Sequence, residues 1–300
     1  MTARLATTWP ALLAGFLIVY GVLAIGAALD TTTRFGLLTL AAVVCAAAVT
    51  ERLQTRSDWA AIRERLGLGR PGLPAMVAAT VVSLLVLAVH PLTASLSGGT
   101  VALRPGWPWL LLGAFAVHGL AEELVWRGFL FRRLREAHRF WPAVGLSMPF
   151  IAAAHVPIVL TAGPVVGLGA MLVAAVTSVP LSYLYEWGRR TLWAPALVHT
   201  AIDSFKVVEI PADTTTFSLA LIAVSLVAPL LVFVLPRRLR PPVDGGPPSS
   251  SERPAQPPGR TGRASGHLPG PVVPVPRAAT PPPGNAATPP PAGRDRHRDR

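Results

Sequence analysis

Apolar residues run along most of the chain in blocks of about twenty, separated by short stretches rich in Arg, Pro and Gly. A helix that crosses roughly 30 Å of hydrocarbon needs about that many apolar residues. The blocks predict spans near 10–29, 35–50, 73–96, 107–131, 141–161, 164–186, 191–209 and 215–236. The second block is short and the seventh carries polar groups. Pro149 and Pro157 fall in the fifth and Pro180 in the sixth, where kinks are tolerated if neighbouring helices re-satisfy the freed backbone groups. The expected fold is all-α, a polytopic transmembrane helical bundle of about eight spans.

The polar segments between blocks set an orientation. One alternating set holds Arg4, then Arg52, Arg56, Arg63, Arg65 and Arg70, then Arg132, Arg133, Arg135 and Arg139, then Arg189 and Arg190, then Arg237, Arg238 and Arg240, fifteen in all. The opposite set holds three, Arg34, Arg104 and Lys206. Basic loops stay cytoplasmic, so eight spans imply a multi-pass protein of the plasma membrane with both termini in the cytoplasm. Within the long 51–72 loop, Ser57 or Asp58 caps a short amphipathic helix with Trp59, Ile62 and Leu66 on one face. Residues 1–10 lack a cleavable signal pattern, so the first block is read as a retained span.

Composition agrees with the pattern: 51% of the 300 residues are hydrophobic and 14% charged, and the mean hydropathy is +0.48. A net charge of +12 invites a nucleic-acid partner, but the charge lies in loops and in the C-terminal segment rather than on one folded face, which excludes that class. Cys45 is the only cysteine, so neither an intramolecular disulfide nor a cysteine metal site is available. Residues 241–300 hold 17 of the 32 prolines, and eight Arg against four acids. Such a segment cannot bury enough apolar surface to fold, and a disordered cytoplasmic tail attracted to anionic lipid headgroups is expected.

The chemistry sits in the fourth block, in Ala121-Glu122-Glu123-Leu124-Val125-Trp126-Arg127-Gly128. A carboxylate at membrane depth costs about 2.5–3.5 kcal/mol on insertion scales. Glu123 and Arg127 are four apart and share a helical face. Glu122 is rotated by about 100° from Glu123, and His118 lies four residues before it. The plain alternative is a buried ion pair that fixes packing; the second glutamate favours chemistry. His155 lies in the fifth block, and His199 and Asp203 share a face in the seventh. Polar groups dispersed over three apolar helices should converge on one internal cavity. Carboxylate with imidazole activates water, as a general base or through a metal. Depth is a rough check: at about 1.5 Å per residue, the distances in from the predicted helix ends disagree by a turn or two.

Glu-Glu-x-x-x-Arg, a His in an apolar helix and His-x-x-x-Asn/Asp together resemble the three-motif signature of the CAAX prenyl protease type 2 and bacteriocin-processing (CPBP, Abi) intramembrane proteases. The match lies in residues 118–131, 151–157 and 183–203. The resemblance covers roughly residues 70–205, and the chain is read as two N-terminal spans with a basic loop (1–70), a protease-like core (71–236) and the tail (237–300). It implies that Glu122 activates water with help from His155, that Glu123 and Arg127 hold the site, and that His199 and Asp203 stabilise the oxyanion or ligate a metal. Two positions depart from the pattern. Ile151 stands where the family often has Phe, with Phe150 one place earlier. Asp203 cannot donate a hydrogen bond as Asn can, which favours metal ligation or orienting His199. His118 has no counterpart in the signature.

The expected activity is an intramembrane endopeptidase acting on a membrane-bound, prenylated or small hydrophobic peptide in lipid. Glu122, His155 and His199 form a two-His, one-carboxylate set for zinc; a Glu–His activated water without metal suits the same residues. The rivals are a non-catalytic scaffold or immunity protein and a proton-relaying transporter. A transporter would more often show two similar halves, and no repeat relates the two halves of this chain.

Overall fold

A computed structural model describes residues 8–209 and 214–234. These form helices α1 (Trp9–Leu29), α2 (Gly36–Thr55), α3 (Trp59–Arg65), α4 (Leu73–Leu96), α5 (Trp107–Ala137), α6 (Phe140–Ala162), α7 (Pro164–Trp187), α8 (Trp193–Ile202) and α9 (Thr215–Phe233). Seven of them are long and apolar enough to cross a bilayer. The seventh block of the sequence is the exception: ten residues of α-helix followed by a 3₁₀ turn, Asp203–Lys206. It nevertheless joins the two faces of the bundle. At its start, Leu192 N donates to Gly67 O, in the loop between α3 and α4. At its end, Leu103 and Val208 form an antiparallel bridge beside the loop between α4 and α5. The tail expected at 237–300, with the basic residues counted there, lies outside the described residues.

Two helices run past their expected ends, and for the same reason. α2 continues to Thr55 and α5 to Ala137 because their polar last turns find partners inside the protein. Glu51 is fully buried; its Oε1 pairs with Arg65, and its Oε2 accepts from Arg132 at 2.9 Å and Arg133 at 2.6 Å. Arg135 reaches Glu186 of α7 at 2.7 Å. Short α3 is capped by the Asp58 carboxylate, which accepts from Ala61 N at 2.8 Å. Ile62 and Leu66 are buried, whereas Trp59 is exposed with the Arg52 guanidinium over its ring.

α5 is the central helix. All eight residues of Leu124–Phe131 are buried, as expected for a helix apolar on every side. Aromatic rings fasten it to its neighbours. Trp126 packs on Phe16 and Tyr20 of α1, Phe16 meets Phe150 of α6, and Phe131 meets Phe140 and Tyr185. Large apolar side chains elsewhere point outward, among them Leu17, Leu38, Leu84, Leu160, Val165 and Leu219. Exposed Trp9, Trp59 and Trp141 mark one end of the bundle, and Trp107 and Trp109 the other, the pattern of aromatic belts at two bilayer interfaces.

Removing the acid of the buried cluster leaves arginines without a counter-ion. Glu51→Gln is expected to destabilise the protein by about 3–5 kcal/mol, read as a lowered midpoint of thermal unfolding in detergent. An unchanged midpoint would show that Arg65, Arg132 and Arg133 are solvated well enough without Glu51.

Candidate functional site

The two glutamates lie where α5 is not a regular α-helix. Phe115–Ala121 and Leu124–Phe131 form π-helical turns on either side of Glu122 and Glu123; such turns are frequent at functional sites. Residues four apart still meet across them. Arg127 Nη1 donates to Glu123 Oε1 at 2.9 Å, and His118 Nδ1 lies 2.6 Å from Glu122 Oε1. Arg127 is buried, and its Nη2 lies 3.5 Å from the carbonyl of Ser178 on α7.

α8 brings the second half of the site. It is fixed at one end by the Leu192 bond and by Trp193 Nε1 donating to Gly69 O at 2.9 Å. At the other end, Ser204 Oγ is 2.8 Å from His90 Nε2 of α4. Its approach to α5 depends on Gly119: a Cβ there would stand 2.5 Å from Thr200 Oγ1 and 3.1 Å from Ala196 O. Nine residues further on, a Cβ at Gly128 would meet Leu66 O at 2.6 Å. With both glycines in place, His199 Nδ1 lies 2.7 Å from Glu123 Oε1, and His199 Nε2 lies 3.6 Å from Glu122 Oε2. A carboxylate only accepts, so His199 Nδ1 carries the proton.

The two glutamates are therefore placed differently. Glu123 is 0% exposed and accepts from both Arg127 and His199 at one oxygen. Its other oxygen, Oε2, has no hydrogen-bond partner among the described residues and is sealed from every surface. Glu122 is 20% exposed. Its Oε1 faces His118, and its Oε2 faces His199 beyond hydrogen-bond range.

The structure brings Glu122, Glu123, Arg127, His199 and Asp203 together, and adds two residues to them. His118, left without a role by the motif, sits between Glu122 and Asp203, with Nδ1 3.4 Å from Asp203 Oδ2. Lys206, read from sequence only as a loop charge, lies 2.8 Å from His118 Nε2 and 4.0 Å from Asp203 Oδ2. Two sequence signals pointed that way. His118 precedes Glu122 by four residues, and Lys206 follows Asp203 by three and is the only lysine of the chain.

His155 is the predicted member that makes no direct contact with this cluster. α6 breaks there, between Phe140–Ala154 and Val156–Ala162, because Pro157 has no N–H to continue the ladder. His155 N turns to Ala152 O, and Ile151 O instead takes the His155 ring, Nδ1 at 2.8 Å. Nδ1 is thus the donor, and Nε2 is left as the acceptor or ligand atom. The ring is half-buried, and among the described residues no carboxylate lies within 4.0 Å of its nitrogens. Nor do the described residues include any group of three or more His, Cys, Asp and Glu arranged to hold a metal. Glu122 and His199 offer two of the three protein ligands that a catalytic zinc site uses, and His155 does not complete the set in this arrangement.

Residues 104–205 match the model of a family described as Rce1-like, type II CAAX prenyl endopeptidase. No match was found among curated proteins or among solved structures. The matched segment, about a third of the chain, holds all three motifs, from Glu122 to Asp203, and ends one residue before Lys206. Over residues 104–205, therefore, the chain is similar to the Rce1-like family of type II CAAX prenyl endopeptidases.

Proposed function

We propose that the protein is a multi-pass membrane endopeptidase that hydrolyses a peptide bond of a membrane-associated protein or peptide by means of water activated at Glu122. One observation carries this reading: of two adjacent glutamates, one is bound to Arg127 and His199 and sealed, while the other keeps an oxygen, Oε2, unbonded on the accessible side. A general base must be ionised, within reach of its proton and free to accept it. Glu122 Oε2 meets those demands and Glu123 does not.

In this reading Glu122 Oε2 takes a proton from the attacking water as its oxygen bonds to the scissile carbonyl carbon. The carbonyl π bond opens to an oxyanion. His199 Nε2, 3.6 Å from the same Glu122 oxygen, stands on the side where that oxyanion forms and, when protonated, donates to it. The C–N bond then breaks, and the amine leaves with the proton held by Glu122. Glu123 and Arg127 hold the His199 ring through Nδ1. Asp203 lies beside His118 and Lys206, so orientation suits it better than oxyanion donation. The contribution of His155 rests on the resemblance alone. A zinc ion would supply a Lewis acid and a more acidic water, with Glu122 and His199 as ligands and His155 Nε2 as the third if α6 brought it in.

The family match supports a CAAX-type substrate, bearing a prenylated C-terminal Cys; a small bacteriocin- or pheromone-like membrane peptide fits the same site. The fifteen-to-three division of basic residues supports cytoplasmic termini in a plasma membrane. A non-catalytic scaffold would need the polar network only for packing, and would not need an accessible, unbonded carboxylate oxygen.

Glu122→Gln keeps the side-chain volume and is expected to leave thermal stability near that of the parent while lowering cleavage of a membrane reporter peptide by about 10²-fold or more. Glu123→Gln strips Arg127 of its buried counter-ion and should destabilise by about 3–5 kcal/mol. Both are measured on detergent-extracted protein; near-parental cleavage by Glu122→Gln would end its assignment as the base, and equal destabilisation of the two would favour a packing role. For orientation, reporter fusions at residues 55–68 and 136 should read cytoplasmic, and fusions near 32 and 102 external. A cytoplasmic reading at 102 would overturn the arrangement.

A further inference from the structure

We propose that His118 and Lys206 are positioning residues that hold the Glu122 carboxylate, with Lys206 capping the far nitrogen of His118. The proposal rests on Glu122 being the base. Three distances carry it. Lys206 Nζ lies 2.8 Å from His118 Nε2, His118 Nδ1 lies 2.6 Å from Glu122 Oε1, and Asp203 Oδ2 is further from both, at 4.0 Å from the lysine and 3.4 Å from the imidazole. A lysine ammonium only donates, so Nε2 must accept, and Nδ1 must carry the hydrogen that points at Glu122. The direction of each bond follows: Lys206 to His118, and His118 to Glu122 Oε1. With Oε1 held, the rotation of the carboxylate is fixed, and Oε2 is the oxygen presented beside His199.

The residue types fit this role. A lysine in an ordinary charge-pairing position would close on the carboxylate three residues before it; here it is nearer the imidazole nitrogen. Twenty-six of the 27 basic residues are arginine, and the single lysine stands at this point. Its compact ammonium on a flexible stem can cap one ring nitrogen, where a planar guanidinium fork is built for carboxylates. Lys206 also lies beyond the segment matched by the family model, so this support comes from this chain's own residues.

The test uses the full-length protein in detergent, with cleavage of a membrane reporter peptide and ¹⁵N NMR of histidine-labelled samples. Four variants are compared: Glu122→Gln, His118→Phe, His118→Asn and Lys206→Met. Because both residues are proposed to act through Glu122, His118→Phe and Lys206→Met should lower kcat by about 10- to 100-fold, the scale for partners that orient a reacting group, with KM unchanged. His118→Asn places an amide N–H near the Nδ1 position and should recover part of the loss relative to His118→Phe. In the parent, the resonances lost in His118→Asn should show the Nδ1–H tautomer, and Lys206→Met should move the Nε2 resonance, because that nitrogen loses its donor while Glu122 keeps the hydrogen on Nδ1. Lys206 is one-third exposed, so its replacement keeps the test informative if His118→Phe unfolds. Parental kcat in Lys206→Met with an unchanged Nε2 resonance overturns the proposal, as does an equal loss for His118→Asn and His118→Phe in folded protein. These results are separable from failure of the functional reading. Near-parental activity of Glu122→Gln defeats the base assignment itself, whereas an inactive Glu122→Gln beside fully active His118 and Lys206 variants defeats only the positioning role.

Discussion

Glu123 Oε1 receives hydrogen bonds from Arg127 on its own helix and from His199 on α8. A carboxylate sealed inside an apolar bundle is tolerated only when opposite charge and donors surround it, and here half of that requirement is met from another helix. The contact therefore dictates where α8 must lie. Gly119 lets the helices approach, the Gly67 and Gly69 carbonyls hold one end of α8, and the His90–Ser204 contact anchors the turn at the other. Once His199 is drawn onto Glu123, its second nitrogen has little choice but to face Glu122.

The same bundle contains a buried acid with a different purpose, and the comparison separates architecture from chemistry. Both oxygens of Glu51 are taken by three arginines, Arg65 of α3 and the adjacent Arg132 and Arg133 of α5, and nothing is left to react. That cluster ties the ends of α2 and α5 to the loop helix α3. Glu122 resembles it in sequence terms, as an acid in an apolar helix, but keeps one oxygen unbonded on the accessible side. In a low-dielectric interior, fully satisfied charges make a rigid element. A partly satisfied one persists only where the surrounding structure holds it, as the proposed role of Glu122 requires.

The break in α6 shows how local rules and site assembly can diverge. Pro157 removes a backbone donor, the chain tightens, and the His155 ring takes up the carbonyl left over. This accounts for the ring's tautomer from sequence-local chemistry alone, yet it says nothing about distance to the glutamates.

The helical class, the run of apolar spans, the Glu123–Arg127 pair and the special standing of residues 118–127 were all legible in the sequence, because each depends on period, length or a four-residue spacing along one helix. α8 was harder to read: ten residues are short for a span, and polar His199 and Asp203 weaken its hydropathy. Its pairing with Gly67 at one face and Leu103 at the other is a tertiary matter. Depth reckoned along straight helices left His199 and the glutamates a turn or two apart; π-helical turns in α5 and a 3₁₀ turn after α8 alter that count, and neither is announced by composition. Only the tertiary structure decided that His118 and Lys206 contact Glu122 and Asp203 while His155 makes no direct contact with those carboxylates. Periodicity fixes which residues share a face of one helix, whereas the meeting of faces from different helices depends on close-approach points such as Gly119 and on which buried charges must be neutralised.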